Sequence, residues 1–129
     1  MSSYKELREY FREEIELGNV YCILSGLPIE KKEFLTLEHF VPLNRVSHTI
    51  SAQPRNIFPA YRIINHIKSS MLPCEFFECR DKLLRKTYNK HTLDRKNQQI
   101  VRDAIDNIPY YNIDPCTLCV MSNLCYQRT

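Results

Sequence analysis

The sequence predicts an α+β fold, a small hairpin-plus-helix unit flanked by α-helices. Three observations predict it. Apolar residues recur at helical spacing near the start and throughout the second half of the chain. Between those stretches lie two short extended runs around a Ser25-Gly26-Leu27-Pro28 turn. A long loop and one further apolar stripe follow, which close the unit with a helix. At 129 residues the chain can bury a core of its own. Its 43% hydrophobic and 26% charged content matches globular averages, which argues against disorder.

The elements follow in order. Ser3-Tyr4-Lys5-Glu6 reads as a capping box, with Tyr4, Leu7, Phe11 and Ile15 on one stripe and Gly18 at the C′ position. Residues 1–18 therefore form an amphipathic helix whose acidic face (Glu6, Glu9, Glu13, Glu14, Glu16) is a solvated surface. Residues 20–24 are an apolar, β-branched-led run, and residues 34–37 resume the extended pattern, so these two pair as the hairpin. Residues 42–59 hold three prolines and many polar side chains, which reads as a long ordered loop. Pro59 suits a first helical turn, and Ala60, Ile63, Ile64 and Ile67 form its stripe. The hairpin-and-helix unit spans residues 19–70.

Residues 71–129 form a basic helical region with a cysteine-rich tail. Residues 80–102 carry eight Lys/Arg against two Asp, a net +6 where the whole chain has +3. Most charge runs are solvated helix faces; the competing reading of this one is contact with a nucleic-acid backbone. Pro109 and Pro115 mark a non-helical tail that carries Cys116, Cys119 and Cys125. Thiolates in this Cys-x2-Cys-x5-Cys spacing can converge on one soft metal, with Cys74 or Cys79 as the fourth ligand. The pattern resembles the C-terminal iron–sulfur cluster of some DNA-processing nucleases, and structural zinc is equally compatible.

Several function classes drop out. Gly18 and Gly26 are the only glycines, too few for a P-loop or a dinucleotide-binding loop. No apolar run approaches the roughly 18 residues of a membrane span. Residues 1–18 carry five Glu and no apolar h-region, unlike a signal peptide. The expected compartment is the cytoplasm, where reduced, clustered thiols favour metals over disulfides.

The chemistry-bearing residues are Glu38-His39-Phe40-Val41-Pro42, then Asn56, then Asn65 and Lys68. Glu38 and His39 are adjacent at a strand end, so one can hold a metal while the other faces a substrate. A carboxylate suits Mg²⁺ or Mn²⁺, and a neutral imidazole can take a proton from water near neutral pH. Asn65 offers a second oxygen ligand if the following helix packs across the hairpin. His66 is its rival, because helix neighbours sit about 100° apart and only one of the two should face the site. On their own, His39 reads as a structural histidine, Asn65 as a solvated helix residue and Asn56 as a turn or helix cap.

In this order the residues resemble the HNH endonuclease family over residues 22–68. Cys22-Ile23-Leu24-Ser25-Gly26 stands where the family often has Cys-x-x-Cys-Gly. Glu38-His39-Phe40-Val41-Pro42 matches its Asp-His-x-x-Pro core with Glu for Asp. Asn56, Asn65 and Lys68 follow at the family's usual spacing. The resemblance implies a ββα-metal fold with His39 as general base, Glu38 and Asn65 on one divalent cation, and Asn56 orienting the loop that holds His39. It also implies cleavage of double-stranded DNA to a 3′-hydroxyl and a 5′-phosphate. Arg45, Arg55, Arg62, Lys68, Arg85 and Lys86 are the candidate nucleic-acid contacts. The family's zinc knuckle is missing, since Ser25, Tyr61 and Ile64 fill three of its four places, so apolar packing by Phe40, Ile63, Ile64 and Ile67 must replace it. A chain this short also suits one subunit of a larger system. The alternative reading is a non-catalytic nucleic-acid- or protein-binding module whose structural metal centre lies in the cysteine tail.

Overall fold

The structure, a computed structural model, describes residues 4–42, 56–90 and 92–117. The fold is α+β. Helix α1 (Tyr4–Glu16) leads into β1 (Leu35–His39); β2 (Ile57–Tyr61) runs straight into α2 (Arg62–Lys68), and α3 (Pro73–Tyr88) and α4 (Arg95–Asn107) follow. The sheet has two antiparallel strands, with Leu35 opposite Tyr61, Leu37 opposite Pro59 and His39 opposite Ile57.

α1 ends as its sequence implies. Gly18 has φ +74°, its N–H bonds Ile15 O, and the Asn19 N–H reaches back to Glu14 O. That pair of bonds is a Schellman closure, which needs the left-handed residue glycine supplies. The capping residue Ser3 lies outside the described residues.

Two expectations need correction. Residues 20–24 do not pair with residues 34–37. They fold back on themselves in a tight hook, with Cys22 N–H on Leu27 O, Ile29 N–H on Val20 O and an isolated bridge between Tyr21 and Pro28. The partner of β1 is the segment around Pro59, which is a strand residue and not the start of a helix. Its carbonyl accepts from Ile23 N–H at 2.9 Å, on the side away from β1. A strand residue's N–H and C=O point the same way, so the N–H that proline lacks would have faced outward too, and the β1 ladder loses nothing.

The core joins the hook, the sheet and all four helices. Cys22, Leu24, Phe40, Ala60, Ile64, Phe76, Leu84 and Val101 are fully buried, with Ile63 and Ile67 partly buried against them. Helix α2 sits at the centre, touching both strands as well as α3 and α4. Within this packing the Cys22 thiol accepts from Tyr61 N–H at 3.3 Å, and Ile64 is fully buried. Burial pushes the Cys22 thiol pKa up, as suits a packed core thiol.

A strap at the far end closes the molecule. Arg80, 4% exposed, donates to Leu24 O (3.3 Å) and Tyr111 O (2.9 Å), and its guanidinium lies over the Phe77 ring. Tyr111 Oη donates to Ile23 O at 2.6 Å, and Asn107 Nδ2 to Ser25 O at 2.8 Å. The hook can accept this strap because Gly26 has no side chain: a Cβ there would fall 2.4 Å from the Tyr111 ring. Gly26 also has φ +76°.

The two glycines therefore predict different costs. Gly18→Ala, with open space around it, should destabilise by about 1 kcal/mol through backbone strain alone. Gly26→Ala adds a clash to the strain and should cost about 2–4 kcal/mol. Urea denaturation of both variants checks this, and equal losses would mean that Tyr111 does not pack on the hook.

Candidate active site

β1 ends on the two residues of interest. Glu38 is 6% exposed and His39 is half-buried. They point to opposite sides of the strand, yet both border one open, shallow cleft of about 410 Å³. Pro42 forms part of its wall, and the opposite wall comes from α2 with Asn65, His66, Ser69 and Ser70. Because β2 enters α2 without a loop, the helix must turn back across the sheet, and that brings Asn65 to Glu38.

Asn65 and His66 both line the cleft, where helical geometry read from sequence admits only one. The cleft is wide and lies at the end of a short helix, so side chains about 100° apart reach it from two directions. Asn65 is half-buried and His66 exposed.

Asn56 is fully buried and holds the segment that follows His39. Its Oδ1 accepts from Val41 N–H at 2.8 Å, and its Nδ2 donates to Val41 O at 2.9 Å. Its backbone carbonyl accepts from Phe40 N–H at 2.9 Å, which carries the β1–β2 ladder one step past His39. Buried main-chain groups left without a partner cost about 1–3 kcal/mol each, so this clasp fixes where β1 ends. Asn56 thus positions the backbone that follows His39.

Lys68 departs from expectation. Expected as a phosphate contact, it is fully buried, and its Nζ lies 3.4 Å from Glu38 Oε1. Its charge acts on the cleft through Glu38 and not by touching a ligand. The other carboxylate oxygen, Glu38 Oε2, is buried and has no hydrogen-bond partner among the described residues. Burial pushes the Glu38 carboxyl pKa up, and the Lys68 ammonium opposes that rise. The His39 pKa lies below its ordinary 6.5, first because burial disfavours the imidazolium and second because Lys68 repels it. A neutral imidazole at physiological pH is the result.

The donor set fits one hard cation. Glu38 Oε2 is a buried acceptor with no partner among the described residues, and Asn65 and His66, on the α2 side of the cleft, are of the type that would serve as a second ligand. Mg²⁺ commonly takes only one or two protein carboxylates and otherwise keeps water or substrate phosphate. Glu38 and Lys68 together are neutral, so such a cation would be held weakly until an anionic phosphate joined it.

The remaining candidates scatter. Arg62 opens α2, one turn before His66. Arg85 is exposed and ion-paired with Asp81 at 2.8 Å, and Lys86 is exposed. Arg45, Arg55, Cys119 and Cys125 lie outside the described residues. Cys116 is exposed, Cys74 is half-buried, and the half-buried Cys79 thiol donates to Glu75 O at 3.2 Å. Among the described residues, no group of three His, Cys, Asp or Glu could hold a metal ion. No helix among them is long and apolar enough to cross a membrane. Sequence reasoning missed Ser69 and Ser70. Ser69 has φ +51° at the end of α2 and donates its N–H to Asn65 O at 2.9 Å; a polar pair after Lys68 was the available signal.

No known family matches the chain, and neither does any curated protein or solved structure.

The His39 environment gives a prediction with a definite sign. Followed by NMR, the imidazole should titrate below 6.5. Lys68→Met removes a repelling positive charge, so the midpoint should rise toward 6.5 while staying under it, because burial remains. The same variant leaves Glu38 unpaired and should cost about 3–5 kcal/mol of stability. A midpoint that falls, or does not move, would contradict the assignment of Lys68 to this site.

Proposed function

We propose that this protein is a metal-dependent HNH-type endonuclease that hydrolyses DNA phosphodiester bonds. One observation carries the reading: Glu38, His39, Asn65 and His66 border a single open cleft, and one carboxylate oxygen there is buried without a partner. The order strand, strand, helix, and the Asn56 clasp behind His39, agree with the sequence resemblance.

In this reading His39, kept neutral by burial and by Lys68, takes a proton from a water molecule on a ring nitrogen. The water oxygen attacks phosphorus, a P–O bond forms, and the bond to the 3′ oxygen breaks. The departing oxygen gains a proton from solvent, leaving a 3′-hydroxyl and a 5′-phosphate. Glu38 with Asn65 or His66 would hold a divalent cation, which supplies positive charge against the phosphate as it becomes more anionic. Asn56 holds the backbone after His39 so that the imidazole keeps its place. An open cleft suits a polymer better than an enclosed small molecule.

The buried Glu38–Lys68 pair favours a second reading, a non-catalytic nucleic-acid-binding module in which Lys68 occupies the charge of a lost cation. Supercoiled plasmid separates the two. With Mg²⁺ or Mn²⁺ the wild type should nick it, chelation should stop the nicking, and His39→Ala should slow it by about 10²–10⁴-fold. Asn65→Ala and His66→Ala should differ, the larger loss marking the ligand. Intact plasmid with wild type across several divalent ions would contradict the nuclease reading, and DNA binding without cutting would favour the second.

A further inference from the structure

A second site lies nearer the start of β1 and uses helix α1. A pocket of about 290 Å³ is lined by Arg8, Arg12, Lys32 and Arg62 with residues 35–37 of β1, and no carboxylate is among its lining residues. Alternate strand side chains point to opposite faces, so three consecutive residues share one pocket only along the strand's edge. Among the described residues, that edge of β1 has no strand partner. The pocket is therefore a cationic trough between α1 and the free edge of β1.

Each cation has a distinct setting. Tyr4, Arg8 and Arg12 follow one another every four residues, one helical row. Tyr4 heads that row and not the core stripe: it is 43% exposed, with the Arg8 guanidinium 4.9 Å above its ring. Arg62 Nη2 donates to Leu35 O at 3.1 Å, which anchors its fork at the trough and leaves its other N–H groups for a ligand. Lys32 shares its charge with Glu16, which lies outside the lining. Arg12 makes no hydrogen bond or ion pair among the described residues. Three guanidinium forks around one polar pocket match tetrahedral phosphate, which accepts paired N–H donors.

We propose that this trough binds a backbone phosphate of the nucleic acid whose scissile bond lies in the cleft. The spacing supports this. His39 lies three strand residues beyond Thr36, roughly 10 Å away, so one short stretch of nucleic-acid backbone spans both sites. Arg62 and His66 stand on successive turns of the same helix, so one strand and one helix join the two sites. An acidic peptide added to the β1 edge fits less well, because Arg62 already covers the Leu35 carbonyl that strand addition would need. The polymer's identity rests on the nuclease reading; the phosphate chemistry does not.

The test is DNA binding without catalysis: fluorescence anisotropy of a labelled duplex in EDTA, read against salt. Arg12→Ala and Arg62→Ala should each weaken binding on the order of tenfold and each flatten the salt slope by about 1. Lys31→Ala, exposed and lining a different pocket with Glu30 and Asp103, should change affinity less than about twofold. Circular dichroism checks folding, and Arg12→Ala keeps the test open if Arg62→Ala unfolds. Equal effects of Arg12→Ala and Lys31→Ala would overturn the proposal. So would inorganic phosphate binding without duplex binding, or a polyglutamate competitor as effective as DNA. Because no cutting occurs in EDTA, a protein that binds through the trough but never nicks plasmid would sink the nuclease reading and leave this one standing.

Discussion

The buried ion pair between Glu38 and Lys68 is the constraint on which the candidate site depends. Both groups are out of water, and taking each ion from solvent costs several kcal/mol that only close partnership can offset. Lys68 is the last residue of α2 and Glu38 the penultimate residue of β1, so the pair fixes the roll of the helix against the strand. Once that roll is set, Asn65 and His66, three and two residues earlier in α2, fall on the cleft wall. Burial first, and the same ammonium second, keep the neighbouring imidazole neutral. A single lysine thus bears on the position of two residues and the protonation of a third. Its cost is visible too: a carboxylate already shared with an ammonium attracts a divalent cation less than a bare one would.

Around that pair, packing and main-chain clasps hold the molecule together. Cys22, Ser25, Tyr61 and Ile64 hold the hook to the start of α2 through a thiol acceptor and buried apolar surface. Asn56 does for the end of β1 what another strand residue would do, satisfying both polar groups of Val41. Arg80 and Tyr111 tie the segment after α4 to the hook. The Tyr111 hydroxyl, pushed up to about 12 chiefly by burial, stays a hydrogen-bond donor at any ordinary pH. None of these devices touches the cleft; together they hold the surfaces that form it.

Much of the site is legible in the sequence, because a Glu-His pair at a strand end, a later Asn and a helical Asn carry position as well as identity. The α+β class is legible for a related reason: helical stripes and extended runs differ in period. The strand pairing is not. Residues 20–24 are apolar enough for a strand, and only the hook's own hydrogen bonds take them out of competition. Pro59 misleads because a missing N–H suits a helix start and the outer side of an edge strand equally well. Lys68 misleads because a helical lysine is ordinarily solvated, and its burial depends on a carboxylate thirty residues away in the chain. Arg8 and Arg12 are hidden among the glutamates of α1, where net charge averages out what the helix separates by face.

The central claim is that Glu38, aligned by Lys68, presents its unpartnered oxygen to a cation shared with the α2 wall. Paramagnetic Mn²⁺ titrated into ¹⁵N-labelled His39→Ala protein, with duplex DNA present, reads this directly without cleavage. Backbone signals of Glu38, Asn65 and His66 should broaden selectively at low Mn²⁺, and adding Glu38→Gln should abolish the effect. Broadening that is uniform, that centres elsewhere, or that survives Glu38→Gln would contradict the account.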